Sequence, residues 1–282
     1  MLGPVKLSEI SNLKPLPLSA VRLAELSANR SSEIEEFTHV IKYDQALTAQ
    51  VLRWANSAWS QSQSNIYDLQ TAIVRLGTGT LLKLVLSHHL MDPLSKPCPG
   101  YQLMENELWH HSVGAALVVE HLPNFVKPPI PPAAFAAALM HDLGKLILGR
   151  HLGHEAVGQQ ITNKMLNENI SYIASERALL GTDHAEVGAV IAETWKLPEA
   201  LVKAIANHHQ PELAPEPVTD VVHVANAISK LIGLGLGIEG MNMEVSSKAA
   251  LRIGLKSDQI QALCALVKDD LDNTQTFFLP QH

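Results

Sequence analysis

The chain has 282 residues, of which 46% are hydrophobic and 17% are charged, so it can bury a large core and is not disordered. The formal net charge of -7 provides no overall positive field for phosphate backbones, which disfavours a nucleic-acid partner. The two cysteines, Cys98 and Cys264, lie in different contexts and exclude a disulfide framework or a multi-thiolate metal site.

The opening residues contain no apolar stretch of signal-peptide length, and nowhere do about 18 apolar residues run without interruption. We therefore expect a cytoplasmic protein with no membrane partner. The pattern does not indicate an oligomeric state.

Hydrophobic residues recur mostly with the helical period, which predicts an all-α protein with helices of about 10 to 15 residues. Asp44 is placed to cap a helix over residues 45–58, because its carboxylate can accept from the free N–H groups of the first turn. Gly77 and Gly149 are each expected to end a helix, since glycine readily takes the left-handed conformation.

Two proline-rich stretches interrupt this pattern. DPLSKPCPG, from Asp92 to Gly100, carries three prolines and a glycine, which are expected to forbid a continuous helix and to mark a lobe boundary. LPNFVKPPIPP, residues 122–132, is expected to separate two helices of the second lobe.

The remaining breaks lie near the end of the chain. GLGLGIEG, residues 233–240, predicts a flexible turn region, and a last helix is expected from Ser257 and Asp258 to about Asp272. The predicted organisation is a two-lobed helical bundle. Its parts are an N-terminal lobe over residues 1–95, a helical core over 101–235 and a C-terminal helical extension over 241–282.

Histidines are concentrated in the middle of the chain, where ten of the 14 lie between His110 and His223. Imidazole binds transition metals through a neutral nitrogen, and carboxylates complete sites for harder ions. Glu107 and His111 stand four residues apart, so on a helix their side chains point the same way and can share a metal centre.

His141 and Asp142 interrupt the apolar stretch AAFAAALMHDLGKLILG, read as one helix, where both groups would be costly without a partner. His184 falls on the buried face near the start of another helix, and His208 and His209 close a further amphipathic one. Four helices thus each bring a candidate ligand inward, which favours metal binding. Structural or solvated roles are expected for other histidines, namely His121, His151, His154 and His223.

These residues resemble the HD superfamily of metal-dependent phosphohydrolases. One set is similar to the ligands of the HD-GYP cyclic-di-GMP phosphodiesterases, which hold two or three iron-like metals: Glu107, His111, His141, Asp142, His184, His208 and His209. The first lobe, with LKPLPLSAVRLAEL, FTHVIKYDQALTAQVLRWANSAW and IYDLQTAIVRLGTGTLLKLVL, resembles the HDOD domain, a bacterial output module. The resemblance runs from about Leu13 to Ala227.

The chain departs from the superfamily pattern in two places. The last metal ligand of the superfamily is an aspartate, and the matching stretch VVHVANAISK offers Asn226, whose amide oxygen carries no charge. One metal position would therefore be weaker or empty. No GYP signature follows His208 and His209, so cyclic-di-GMP is not implied as the substrate.

The resemblance implies one or two divalent transition-metal ions, iron or manganese first, with magnesium, nickel or zinc as alternatives. In the enzymatic hypothesis the chain is a phosphohydrolase or phosphodiesterase acting on a phosphorylated small molecule or nucleotide. Asp142 then bridges two ions, and Lys145 reaches a phosphate oxygen as its family counterpart does. The alternative for Lys145 is an ordinary exposed lysine of a helix.

The alternative is a non-catalytic regulatory or protein-interaction module with a structural or vestigial metal site, because HDOD proteins commonly lack parts of the catalytic set. Its partner would be a protein of a signalling pathway. Trp54 and Trp59 fit either such a surface or core packing, with core packing favoured. A third hypothesis is a nucleotide sensor that uses the same pocket, and the sequence does not separate the three.

Overall fold

The structure is a computed structural model that describes residues 13–29, 31–57, 65–152, 155–239 and 245–278. Within these ranges the regular structure is helical, apart from one isolated bridge between Cys98 and Leu103. The predicted all-α class is therefore confirmed.

In its described residues the first lobe contains five helices whose ends are set by local residues. They are α1 (Leu18–Ala28), α2 (Ile34–Ile41), α3 (Gln45–Asn56), α4 (Leu69–Leu76) and α5 (Thr78–Ser95). Asp44 caps α3 as predicted, since its side chain accepts from the Leu47 amide at 3.0 Å. Gly77 ends α4 with a φ of 76°, which also confirms the prediction.

The connection between the lobes lies within the predicted stretch. Helix α5 continues through Pro93 and ends at Ser95, inside the segment 92–100 that was expected to interrupt the helical pattern. Pro93 lies in the last turn, where the missing N–H removes one backbone bond without ending the helix. The chain then forms a 3-10 turn at Pro99–Tyr101 before the second lobe.

The second lobe carries the histidines that are candidate metal ligands. Its helices are α6 (Glu107–His121), α7 (Ala134–Met140), α8 (Lys145–His151), α9 (Glu155–Glu168), α10 (Tyr172–Leu180), α11 (His184–Thr194), α12 (Glu199–Asn207) and α13 (Pro217–Leu231). The proline-rich stretch 122–132 separates α6 from α7, as predicted. Helix α6 lies in the middle of the lobe, in contact with α7 and α13.

The C-terminal part contains α14 (Ser247–Ile253) and α15 (Ser257–Phe278), and α15 packs on α6. Helix α15 begins at Ser257 as predicted and extends beyond Asp272. The segment 233–239 ends in a 3-10 turn, Gly237–Glu239, and buries Ile238 and Glu239 against the bundle. A turn was expected there, but its burial was not.

Gly149 lies inside α8, so the prediction that it ends a helix is wrong. A Cβ atom at Gly149 would stand 2.2 Å from the sulfur of Cys98. The glycine therefore allows α8 to approach the connection between the lobes.

One connected cluster of buried apolar side chains runs from Leu13 to Leu271 and includes residues of every predicted segment. Trp54 is partly buried and packs against this cluster, whereas Trp59 lies outside the described residues. In the described part of the chain no single helix has the length and apolar composition of a membrane span. Helices α4 and α5 meet those two criteria only jointly, as a pair bent by 97°.

Candidate metal centre

His141 and Asp142 lie in a turn, because α7 ends at Met140 and α8 begins at Lys145. The expectation that they sit within one continuous helix is therefore wrong. Neighbouring residues of a helix point about 100° apart. The turn instead lets both side chains enter the same interior region, where their exposures are 0% and 1%.

The other ligands come from three further helices. His111 lies in the middle of α6, His184 is the first residue of α11, and His208 follows the last residue of α12. These three side chains are buried, whereas the adjacent His209 is partly exposed. The predicted convergence of His184 and His208 from separate helix ends is thus observed.

Four imidazoles each hold Nδ1 against an acceptor outside the cluster. The acceptors are the carbonyl oxygens of Leu234 at 3.1 Å for His111, Ala138 at 2.7 Å for His141 and Ile205 at 2.7 Å for His208, and the Glu176 carboxylate at 2.8 Å for His184. These oxygens only accept, so each Nδ1 carries a hydrogen, and in the neutral ring each Nε2 then carries a lone pair. This is the arrangement that orients histidine ligands in metal sites.

The first ligand group consists of His111, His141 and Asp142. The two Nε2 atoms are 3.1 Å apart, and each lies 3.4 Å from Asp142 Oδ2. Two lone pairs at this distance cannot hydrogen-bond to each other. Ligands about 2.1 Å from a common ion stand about 3.0–3.4 Å apart, so the three atoms fit one metal position.

The second ligand group consists of His184, His208 and His209. The Nε2 atoms of His184 and His209 are 3.0 Å apart, and Asp142 Oδ1 lies 3.4 Å from His184 Nε2 and 3.7 Å from His208 Nε2. Asp142 Oδ1 and His208 Nε2 are buried without a hydrogen-bond partner. Unpaired buried atoms are costly, and a shared cation would satisfy both.

The surroundings of His111, His208 and His209 favour their neutral forms. Burial lowers the pKa of His111 to about 3. Burial, followed by the neighbouring His141 ring, holds the pKa of His208 well below its usual value, and burial with the His208 ring does the same for His209. Neutral imidazole is the form that binds a metal.

His184 differs from the other histidines. Burial is the largest single influence and opposes its protonation, but the Glu176 and Glu239 carboxylates together outweigh burial and raise the pKa of His184. Glu176 is fully buried and accepts the hydroxyl hydrogen of Tyr101 at 2.5 Å. Neither Glu176 nor Tyr101 was predicted. A signal for Glu176 was present, because Tyr172, Glu176 and Leu180 share one helix face and a carboxylate on an apolar face needs a partner.

A buried chain of charges leads away from Asp142. The ammonium of Lys145 lies 2.7 Å from Asp142 Oδ2 and 3.2 Å from Glu239, and Lys230 lies 2.8 Å from the other oxygen of Glu239. Burial opposes ionisation of Asp142, but His141 and Lys145 hold its pKa well below the usual value. Lys145 is 1% exposed, which excludes an ordinary surface lysine. Glu239 and Lys230 were not predicted, and Glu239 lies in a glycine-rich stretch with no periodic signal.

The remaining predicted ligands lie at the edge of this centre. The Glu107 carboxylate accepts from the Met104 amide at 2.7 Å and belongs to neither ligand group. Asn226 is 5% exposed, and its Oδ1 atom is buried without a hydrogen-bond partner. Metal ligation by Glu107 and by Asn226 stays a prediction.

Of the histidines expected to be structural, His223 donates from Nδ1 to the His208 carbonyl at 2.8 Å and accepts the Ser246 amide at 2.8 Å. His121 pairs with Asp270 at 2.7 Å. Both are hydrogen-bonded outside the ligand groups, as predicted. The side chain of His151 and all of His154 lie outside the described residues.

A cleft of about 310 Å³ opens beside the second ligand group. His209 and Asn226 lie on its wall, together with Gln210, Glu212 and Ser246. The other ligands are buried, so this cleft joins the metal centre to solvent.

The HDOD domain family model matches residues 13–211. The chain belongs to the HDOD family. A curated relative, an uncharacterized protein of Treponema pallidum (strain Nichols), is 23% identical over 221 residues, which are 77% of this chain and 42% of that protein. This HDOD chain thus spans about two fifths of that relative.

Solved structures share the fold. An HDOD domain protein of unknown function from Geobacter sulfurreducens has a TM-score of 0.64 at 24% identity, over 96% of this chain and 92% of the other. A candidate signal transduction protein of Marinobacter aquaeolei VT8 has a TM-score of 0.70 at 20% identity, over 96% and 63%. A candidate phosphohydrolase of Shewanella amazonensis SB2B has a TM-score of 0.61 at 24% identity, over 93% of both chains.

Proposed function

We propose that this HDOD protein is a metal-dependent phosphohydrolase or phosphodiesterase of a bacterial signalling pathway. One observation carries the proposal: inward-facing Nε2 lone pairs surround a buried carboxylate, and two of the buried atoms have no other partner. A buried histidine that served packing alone would be expected to have a hydrogen-bond partner for Nε2 as well as for Nδ1. The similar solved structures support the fold, and the site supports the chemistry.

The ligand groups would hold one or two divalent ions, of which iron or manganese suits a set of imidazoles with a carboxylate. When bound, such ions supply Lewis acidity and lower the pKa of a coordinated water. Asp142 presents one oxygen to each group and remains ionised, so it is the residue able to bridge them. Besides the ions, the Lys145 ammonium is a positive group beside Asp142, placed to neutralise charge on a phosphoryl oxygen.

The cleft beside His209 limits the substrate. Its volume of about 310 Å³ suits a phosphorylated small molecule or a nucleotide, and it lies at the lower end of ordinary ligand pockets. Asn226 on its wall has a free amide oxygen for a substrate donor or for an ion. We propose no specific nucleotide, because no GYP signature follows His209.

The test combines metal analysis with hydrolysis of bis(p-nitrophenyl) phosphate and of a nucleotide panel. Purified protein is expected to contain a divalent transition metal or to take up Mn²⁺, and Asp142→Asn is expected to abolish hydrolysis with little change in shape. His141→Asn should lose metal, whereas the matched control His121→Asn, outside the ligand groups, should keep both properties. Wild-type protein that binds no divalent ion, or full activity in Asp142→Asn, would refute the proposal.

The non-catalytic alternative has one observation in its favour. Lys145 is already held by two carboxylates, Asp142 and Glu239, which reduces what it offers to a phosphate. In that case the protein would bind metal without turnover of any phosphate ester tested. The centre would then stabilise the helical core of a module that acts on a signalling protein.

A further inference from the structure

The buried charges around Asp142 do not balance two divalent ions. In the described part of the chain the fully buried carboxylates of the centre are Asp142, Glu176 and Glu239, and the buried ammonium groups are Lys145 and Lys230. An imidazole binds an ion only in its neutral form, so the ligand histidines add no charge once ions are bound. The protein groups of the ion-loaded centre therefore carry a net charge of one negative unit.

The other buried acids of the second lobe do not alter this balance. Asp183 pairs with Arg177, and Asp220 makes two bonds to Arg252 at 2.6 and 2.7 Å. Each pair is neutral. One divalent ion would leave the centre with one excess positive charge, and two ions would leave three. Excess charge in a buried site is strongly unfavourable, so a second ion requires added negative charge.

The two ligand groups differ in the hydrogen bonds that their atoms already make. In the second group Asp142 Oδ1 and His208 Nε2 lack partners, so an ion there displaces no existing bond. In the first group Asp142 Oδ2 already accepts a charge-assisted hydrogen bond from Lys145 at 2.7 Å. An ion in the first group must share Asp142 Oδ2 with that ammonium or displace it, and in either case it lies close to a positive charge.

We propose that the second group, His184, His208 and His209 with Asp142 Oδ1, binds a divalent ion first and alone. The first group binds its ion together with an oxyanion, phosphate or a phosphate ester. The oxyanion supplies the missing negative charge and offers Lys145 a new partner when Asp142 Oδ2 turns to the ion. This inference rests on the proposed metal site and adds that ion loading and phosphate binding are coupled.

The experiment titrates metal-free wild-type protein with Mn²⁺ by calorimetry, with and without inorganic phosphate, at equal free Mn²⁺. Without phosphate one ion is expected to bind tightly. With phosphate a second ion is expected to bind at least about tenfold more tightly than without it. By linkage, phosphate must bind more tightly by the same factor to the two-ion form. Electron paramagnetic resonance checks that the ions are neighbours, because a pair bridged by Asp142 is magnetically coupled.

Variants that change the buried charge test whether binding of the second Mn²⁺ becomes tighter or weaker in the expected direction. Lys145→Met removes a positive charge and the competing bond, so the second Mn²⁺ should bind without phosphate at least about tenfold more tightly than in wild type. Glu239→Gln removes a negative charge and should weaken binding of the second Mn²⁺. The double variant Lys230→Met with Glu239→Gln keeps the net charge, so its affinity for the second Mn²⁺ should be close to that of wild type. Lys203→Met, on an exposed lysine of α12, is the control with no expected change.

Circular dichroism spectra of each variant report whether the fold is retained. If a variant fails to fold, the wild-type titration with and without phosphate decides alone. Two ions of equal affinity in the absence of phosphate would overturn this inference and leave the metal site intact. No bound ion under any condition would refute the proposed function as well.

Discussion

Substitution of Gly235 tests whether the segment 233–239 positions a metal ligand. Gly235 has a φ of 56°, and a Cβ atom there would lie 2.6 Å from the Cβ of His111. The carbonyl of the preceding residue, Leu234, accepts from Nδ1 of the same imidazole. Gly235→Ala should therefore push His111 out of the first ligand group.

Gly233 provides a matched control. It has a φ of 90°, and a Cβ atom there would meet nothing within 4 Å. In both alanine variants the left-handed backbone should lower the free energy of unfolding by about 1–2 kcal/mol. Only Gly235→Ala adds overpacking against His111, which typically costs about 1–3 kcal/mol. The expected loss of unfolding free energy is thus about 2–5 kcal/mol for Gly235→Ala and about 1–2 kcal/mol for Gly233→Ala.

Urea unfolding of the metal-free variants measures this difference, and Mn²⁺ titration with phosphate present measures its effect on the site. Gly235→Ala should retain binding at the second ligand group and lose it at the first, whereas Gly233→Ala should bind as wild type does. Equal destabilisation of both variants with unchanged Mn²⁺ stoichiometry would show that the segment does not position His111.

Two further outcomes follow from buried groups of the centre. Tyr101→Phe removes the hydroxyl hydrogen donated to Glu176 at 2.5 Å, which should cost about 1–3 kcal/mol in urea unfolding, and a loss below about 0.5 kcal/mol would contradict this. The metal-free protein should lose stability as pH falls from about 6.5, the ordinary histidine pKa. Burial lowers the pKa of His111 to about 3, so between about pH 6.5 and 3 only the unfolded chain takes up this proton. The free energy of unfolding should therefore fall by up to about 1.4 kcal/mol per pH unit. His111→Asn should flatten the profile, and an identical slope in both proteins would refute the assignment.

The sequence indicates the residues of the candidate metal centre where those residues carry their own signal. His141 and Asp142 stand out because an apolar stretch does not tolerate them without partners. His184 and His208 fall at the ends of amphipathic helices, which places them on the buried side. Their convergence could be predicted as a set, although the turn at His141 could not.

The residues that support the ligands were harder to predict because their roles depend on distant contacts. Glu239 gains its role from Lys145 and Lys230, which are far away in sequence. Periodicity reports which face of a helix is buried, and a glycine-rich turn has no such face.

Helix ends show the same division between local and distant causes. Asp44 and Gly77 act through the backbone of their own turn, so the sequence predicts them. Gly149 reads as a helix end, yet it serves the close approach of Cys98, about fifty residues earlier in the chain. Only the packed structure distinguishes the two uses of glycine.

Two of the candidate ligands, His141 and His208, are oriented by the same local hydrogen bond. His141 follows the last residue of α7 and His208 follows the last residue of α12, and each donates Nδ1 to the carbonyl three residues earlier, Ala138 and Ile205. The last carbonyls of a helix have no partner within the helix, so a histidine there satisfies one of them. The same bond places the hydrogen on Nδ1 and leaves the lone pair on Nε2. The tautomer that a metal requires is therefore set by the end of each helix, before the helices pack together.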